Sequence, residues 1–183
     1  MERERLIDAV KFIAWGHLLL LVNINLGTLN ILPNWLGYVL MLKALPALGE
    51  EEPSALLLHP LGTLLALWEG AVWGLAIFGV SYDNTVINII AAALSLYFHF
   101  QLLTNVADMA KSHDCPEQGR ILTLRTVRTV LLTLFSLPLA WKPYTAFTIG
   151  MVIVNLIVAI WICSVLFSLR NSLEGTVAND LEE

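Results

Sequence analysis

The sequence predicts an all-α polytopic membrane helix bundle, with six transmembrane helices and both termini cytoplasmic. Three observations carry that prediction. Of the 183 residues, 57% are hydrophobic and only 14% charged, and mean hydropathy is +0.74, whereas soluble domains carry about a quarter charged residues. Six apolar segments approach the roughly 20 residues that cross about 30 Å of hydrocarbon. Lys and Arg sort between the connections as membrane orientation requires. The same composition excludes a disordered chain, which needs low hydrophobicity and high charge. A net charge of −5 and the absence of a basic cluster exclude nucleic acid as a partner.

The first segment runs from Leu6 to Val22 and the second, short one from Trp35 to Leu48. The third spans Leu61 to Val80, bounded by His59-Pro60 and the turn Ser81-Tyr82-Asp83-Asn84. Val86 to Ala107 is the fourth, and Ile121 to Ala140 and Thr145 to Leu169 are separated by Trp141-Lys142-Pro143, where proline and charge interrupt the apolar run. If the second segment is one arm of a re-entrant hairpin instead of a tilted span, the count becomes five. With six crossings, every Lys and Arg except Lys142 falls on or near one side, the cytoplasmic one. Residues 1–173 then form a single transmembrane domain, and 174–183 an acidic, flexible tail.

Asp8, Lys11 and His17 interrupt the first segment and no small-x-small cleavage site follows, so it reads as a retained span and not as a secretion signal. Cys115 falls in a cytoplasmic loop and Cys163 in the last span; no disulfide is expected between them, and no Cys spacing of the metal-binding kind occurs. No cofactor is implied.

Outer connections are short: Asn23 to Asn34, Ser81 to Thr85 and Trp141 to Tyr144. In the first of these, Asn and Thr alternate with Ile and Leu around Gly27 and Pro33. Such a loop either folds back over the outer mouth of the bundle or forms an interfacial turn whose Asn side chains cap the next helix. Ile24-Asn-Leu-Gly27 followed by Leu32-Pro-x-x-x-Gly-Tyr38 resembles a pattern in uncharacterised small multi-span bacterial membrane proteins. The resemblance covers about 15 residues and implies a bacterial inner-membrane setting, with no activity attached.

At about 1.5 Å of rise per residue, His17 lies roughly 16 Å from the cytoplasmic edge, Glu69 about 16 Å and Asn155 about 15 Å from the outer edge, and His99 about 20 Å from the outer edge. Four polar side chains from four spans thus converge on one slab. A carboxylate at that depth must face the bundle interior, carry a proton or find a partner. Glu69, Val72, Trp73 and Ala76 share a helical face, beside a Gly70-x-x-x-Gly74 notch that invites a close neighbour. Asn88, Ser95 and His99 form one stripe on the fourth span, and Gln101, Asn105 and Asp108 another. Thr126, Thr129, Thr133 and Ser136 line up on the fifth, where bonding to their own backbone is the usual role. Trp15 and Trp68 lie away from the interfaces where tryptophan collects, so with Trp73 they suit a cation held by indole faces and one carboxylate. Arg125 and Arg128 read as side chains snorkelling to lipid headgroups.

The expected function is a membrane transport or substrate-capture protein, with Glu69, His17, His99, Asn155, Trp68, Trp73, Trp15 and Ser95 around a small cationic or proton-coupled solute. A polar layer that only pins helices would instead mark an interaction or accessory subunit. Zinc-protease, nucleophile-elbow and phosphate-loop motifs are absent and nothing identifies a nucleophile, so a small membrane enzyme ranks third. Membrane lipid, and a second copy or a partner membrane subunit, are the expected partners.

Overall fold

A computed structural model describes residues 2–21, 25–26, 29–30, 32–80, 82–136 and 145–180. Six α-helices make up the chain: α1 (Glu2–Leu21), α2 (Asn34–Glu51), α3 (Leu58–Ile77), α4 (Thr85–Ser112), α5 (Gln118–Ser136) and α6 (Thr145–Asp180). A 3₁₀ turn over Pro53–Leu57 leads into α3. The α1–α2 connection holds a two-rung antiparallel ladder, Asn25 opposite Asn30 and Leu26 opposite Leu29, and its second strand lies against α3.

Local chemistry sets the ends of these helices. Asn84 caps α4, its side-chain oxygen accepting from the amides of Val86 and Ile87 at 3.1 and 3.2 Å, as an N-cap should. Pro60 sits in the first turn of α3, where its missing N–H is not needed, so the helix starts before the expected His59-Pro60 boundary. After α3, Gly79 takes φ +72°, with Gly79 N bonded to Ala76 O and Val80 N to Leu75 O. That is a Schellman stop. Asp114, at φ 53°, closes α4 the same way, with bonds from Asp114 N to Lys111 O and Cys115 N to Ala110 O. Into the acidic tail, α6 continues through Asp180. The side chains of Asn23, Asn25 and Asn30, on which the capping alternative rests, lie outside the described residues; Pro33 occupies the cap of α2 with no side-chain bond of its own.

The helices close into a ring in chain order, each packed on its sequence neighbours, and α6 returns to α1. Polar contacts show that successive helices alternate in direction. Arg5 near the start of α1 meets Glu50 at the end of α2 at 2.8 Å, and Glu51 of α2 meets His113 just past α4 at 3.7 Å. Glu117, just before α5, accepts from Ser168 and Ser172 late in α6 at 2.8 and 2.9 Å. One end of the ring therefore gathers the start of α1 and the ends of α2, α4 and α6.

The core is concentrated toward that end. On α1 and α2 buried apolar residues run from Leu6 to Ala14 and from Tyr38 to Leu48, but α4 becomes buried only from Phe98 onward and α6 only from Val158. Beyond those points α3, α4 and α6 present Leu67, Leu75, Ile89, Ile90, Val152 and Ile153 outward. By length and composition three stretches can cross a membrane: Pro53–Ile77, Thr85–Ser112 and Ile149–Gly175. The remaining helices, α1, α2 and α5, each carry at least three charged residues in any 18-residue stretch, so the sixfold crossing expected from the sequence reduces to three on this measure. The closest backbone approach joins α1 to α2. A Cβ on Gly16 would lie 2.8 Å from the Gly37 carbonyl oxygen, and one on Gly37 would lie 2.8 Å from that of Gly16.

Candidate functional site

The deepest ionisable side chains belong to opposite members of the ring. His17 of α1 and His99 of α4 are 5% and 3% exposed, and their rings meet with centroids 5.1 Å apart. Nδ1 of His17 donates to the Ile13 carbonyl at 3.0 Å, because a carbonyl oxygen can only accept. In the neutral imidazole this leaves Nε2 as a lone-pair acceptor. That Nε2 and Nδ1 of His99 are buried with no hydrogen-bond partner among the described residues.

Tyr38 of α2 lies against His99, with ring centroids 5.8 Å apart, and its hydroxyl shares a 2.7 Å hydrogen bond with Ser95 Oγ of α4. Arg128 of α5 is within electrostatic reach of His17, His99, Tyr38 and Cys163, and its Nη1 is buried and unpartnered among the described residues. The sequence reads it as a headgroup anchor, whereas here its Nη1 is enclosed between α4 and α5. Because α5 begins at Gln118, Arg128 is about 15 Å along it. Arg125 also turns inward, donating to Thr104 Oγ1 at 2.8 Å with its guanidinium 4.3 Å from the Phe100 ring centroid. The space that His99, Arg125 and Arg128 line between α4 and α5 does not admit a water molecule.

Glu69 belongs to a second group. Its Oε2 accepts from Asn34 Nδ2 at 3.2 Å, next to the edge-on pair Trp35 and Trp73, 6.3 Å apart. Gly70 packs on Trp35, 3.8 Å from its would-be Cβ, whereas Gly74 faces open space. Tyr38, on the same helix as Asn34, is within electrostatic reach of both Glu69 and Arg128.

The remaining sequence-predicted residues are dispersed. Trp15 is 45% exposed and packs edge-on against Phe167, 5.8 Å away. Trp68 pairs with Tyr82 at 5.4 Å and helps line an apolar cavity of about 170 Å³ between the outer halves of α3 and α4, with Leu65, Ile87, Ala91 and Leu94. Asn155 on α6 is half-buried and takes part in none of these contacts. Asn88 is exposed. The α5 threonines bond back to their own helix, Thr126 to Leu122 O and Thr129 to Arg125 O. Sequence reasoning passed over Asn34, Tyr38 and Arg128 as site residues. For Arg128 the available signal was its register on α5, about one turn after Arg125.

Outside the helices, Cys115 is buried beside Asp114 and Glu117, and burial and those two carboxylates push its thiol pKa upward. Among the described residues no three His, Cys, Asp or Glu side chains gather so as to hold a metal ion. No protein family, no curated protein and no solved structure matches this chain.

Proposed function

We propose that the chain is a small multi-pass integral membrane protein of the cell membrane, acting in transport or substrate capture. Its interior polar layer would handle a small proton-coupled solute. The observation that carries this reading is the meeting of His17 and His99 across the ring, beside Arg128 and one aromatic hydroxyl from the Glu69 side. Ionisable groups inside a membrane bundle are expensive and mark ion or substrate paths. Tyr38, Ser95, His99 and His17 form a connected set, Tyr38 bonding Ser95 and lying against His99, which meets His17, and with Glu69 all carry groups that can accept and release a proton. A fixed guanidinium beside the imidazoles disfavours a cation there, so the proton-coupled form of the reading is preferred to the cationic one.

In this reading all six helices cross. The helices α1, α2 and α5 have 20, 18 and 19 residues, about 27–30 Å of rise. Both termini would be cytoplasmic, because the end that gathers them also carries Arg3, Arg5, Lys111, Arg120 and Arg170. Proteoliposomes holding the full chain and a lumenal pH dye test it. A pH gradient should dissipate faster than in empty vesicles, and Glu69→Gln should keep the fold and slow that flux at least about tenfold, in line with loss of an essential acid–base group. Equal flux in loaded and empty vesicles, with or without added solutes, defeats the proposal.

One observation favours a second reading, an accessory or interaction subunit, alone or as a homodimer. The space beside His99, Arg125 and Arg128 is packed too tightly for water. For such a protein Glu69→Gln lowers thermal stability slightly, because the Asn34 bond loses its charge assistance, and changes no flux or ligand effect.

A further inference from the structure

Arg128, itself partly exposed, brings a guanidinium into the α4–α5 seam beside His99, and no carboxylate among the described residues lies within hydrogen-bonding or ion-pair distance of it. The nearest acid of the layer, Glu69, is engaged by Asn34. Among the described residues, four buried nitrogens without partners sit in this region: Arg128 Nη1, Arg125 Nε, His17 Nε2 and His99 Nδ1. A buried donor or charge left in that condition is destabilising, and a small anion is the chemistry that relieves it.

The hydrogen bond from His17 Nδ1 to Ile13 adds a condition. Neutral His17 offers a lone pair at Nε2, which repels an anion; only the protonated ring offers an N–H there. We propose that this site binds one small monovalent anion on Arg128, and that each anion is bound together with one proton taken up at Nε2 of His17. This rests on the substrate-capture reading above and names its solute class. Charge balances: the anion's −1 is matched by the proton's +1, so the site carries the Arg128 charge before and after. Each ligand lowers the cost of the other, as reciprocal linkage requires.

The groups that face His17 from the other helices are His99 of α4, Arg128 of α5, Tyr38 of α2 through His99, Cys163 of α6, whose Sγ lies 3.9 Å from the Ala14 carbonyl, and Glu69 of α3 only through Tyr38. Because the space lined by His99, Arg125 and Arg128 does not admit a water molecule at rest, the anion has to be small and has to enter as the flexible Arg128 side chain swings.

Calorimetric and thermal-shift titrations of the purified full chain with chloride, nitrate and acetate, in a sulfate-based buffer of constant ionic strength, test this. Affinity should strengthen by up to about tenfold for each unit the pH falls, the slope of one linked proton, with one proton taken up per anion in buffers of different ionisation heat. Arg128→Lys should weaken binding and Arg128→Gln abolish it. His17→Gln, whose amide nitrogen donates at the Nε2 position at every pH, should bind with the pH dependence removed. No saturable binding by the folded wild type at any pH overturns the proposal, as does undiminished binding by Arg128→Gln. PH-independent binding by the wild type overturns the proton coupling. Proton flux without anion binding would sink this inference and leave the transport reading standing; anion binding without flux would do the reverse.

Discussion

Gly37 and Gly74 show how differently two helical glycines behave in the same bundle. A methyl on Gly37 would press on the α1 backbone at 2.8 Å, while one on Gly74 meets nothing within 4 Å. Gly37→Ala should therefore destabilise by about 1–3 kcal/mol through overpacking, and Gly74→Ala should be neutral or gain up to about 1 kcal/mol from helix propensity. Melting of the two purified variants in one detergent checks the contrast. At Cys115, the raised thiol pKa predicts slow alkylation near neutral pH. The rate should still be climbing with pH above about 8.5, where an ordinary thiol levels off. Replacing Glu117 by Gln should move that curve toward lower pH, since it removes a neighbouring negative charge. A pH series with a maleimide and mass-spectrometric readout measures both.

Between elements, the junction that most depends on polar contacts is the docking of the α4–α5 connection onto α6. Glu117 is 4% exposed, and both Ser168 and Ser172 donate to its Oε1. Hydrogen bonds to a charged group contribute about 1.5–3 kcal/mol each before non-additivity. Glu117→Ala should lower stability by about 2–4 kcal/mol and raise hydrogen exchange at the start of α5 more than in α1 or α2. If Ser168→Ala and Ser172→Ala each cost as much as Glu117→Ala, the clasp acts as one cooperative unit; small additive losses would mean that two independent contacts hold the junction. Near the same end, Ser54 and Gln101 both donate to Asn105 at 2.9 Å, which ties the 3₁₀ turn to α4.

At the scale of the whole molecule, the ring places its well-packed core toward the end rich in Lys and Arg and leaves the outer parts of α3, α4 and α6 clad in apolar side chains. Exposed apolar cladding of this extent is unfavourable in water and neutral in lipid. Single cysteines placed at Glu4 and Asn171, in a background lacking Cys115 and Cys163, should react with an impermeant maleimide from the same side of sealed vesicles, and one at Asp83 from the other. Labelling of all three from a single side would break the alternation of directions on which the six-crossing proposal depends.

Much of this architecture was legible in the chain itself. Apolar runs broken at Pro33 and at Ser81 to Asn84 marked where the helices lie, because those breaks are local chemistry, although α6 continues past the expected Leu169 to Asp180. His17, His99 and Ser95 stood out because a polar side chain in an apolar run is conspicuous whatever surrounds it. Two other features were illegible for the same kind of reason. Trp15 and Asn155 looked equivalent to the histidines by depth, but depth along a helix does not say which way it is turned, and rotation is settled only by neighbours. Arg128 lay close enough to a helix start to read as a headgroup anchor. Its inward path depends on α4 and α5 meeting side by side.

What the sequence by itself determined is the all-helical class, the number and order of helices, and the presence of ionisable groups deep within apolar segments, since each follows from composition and spacing along one dimension. Tertiary packing alone decided that His17 and His99 meet across the ring, that Arg128 joins them, and that Glu69 pairs with Asn34 while Tyr38 lies within electrostatic reach of both Glu69 and Arg128. Those are relations between helices far apart in the chain. They depend on rotation and close approach, as at Gly16 and Gly37, which no local pattern encodes.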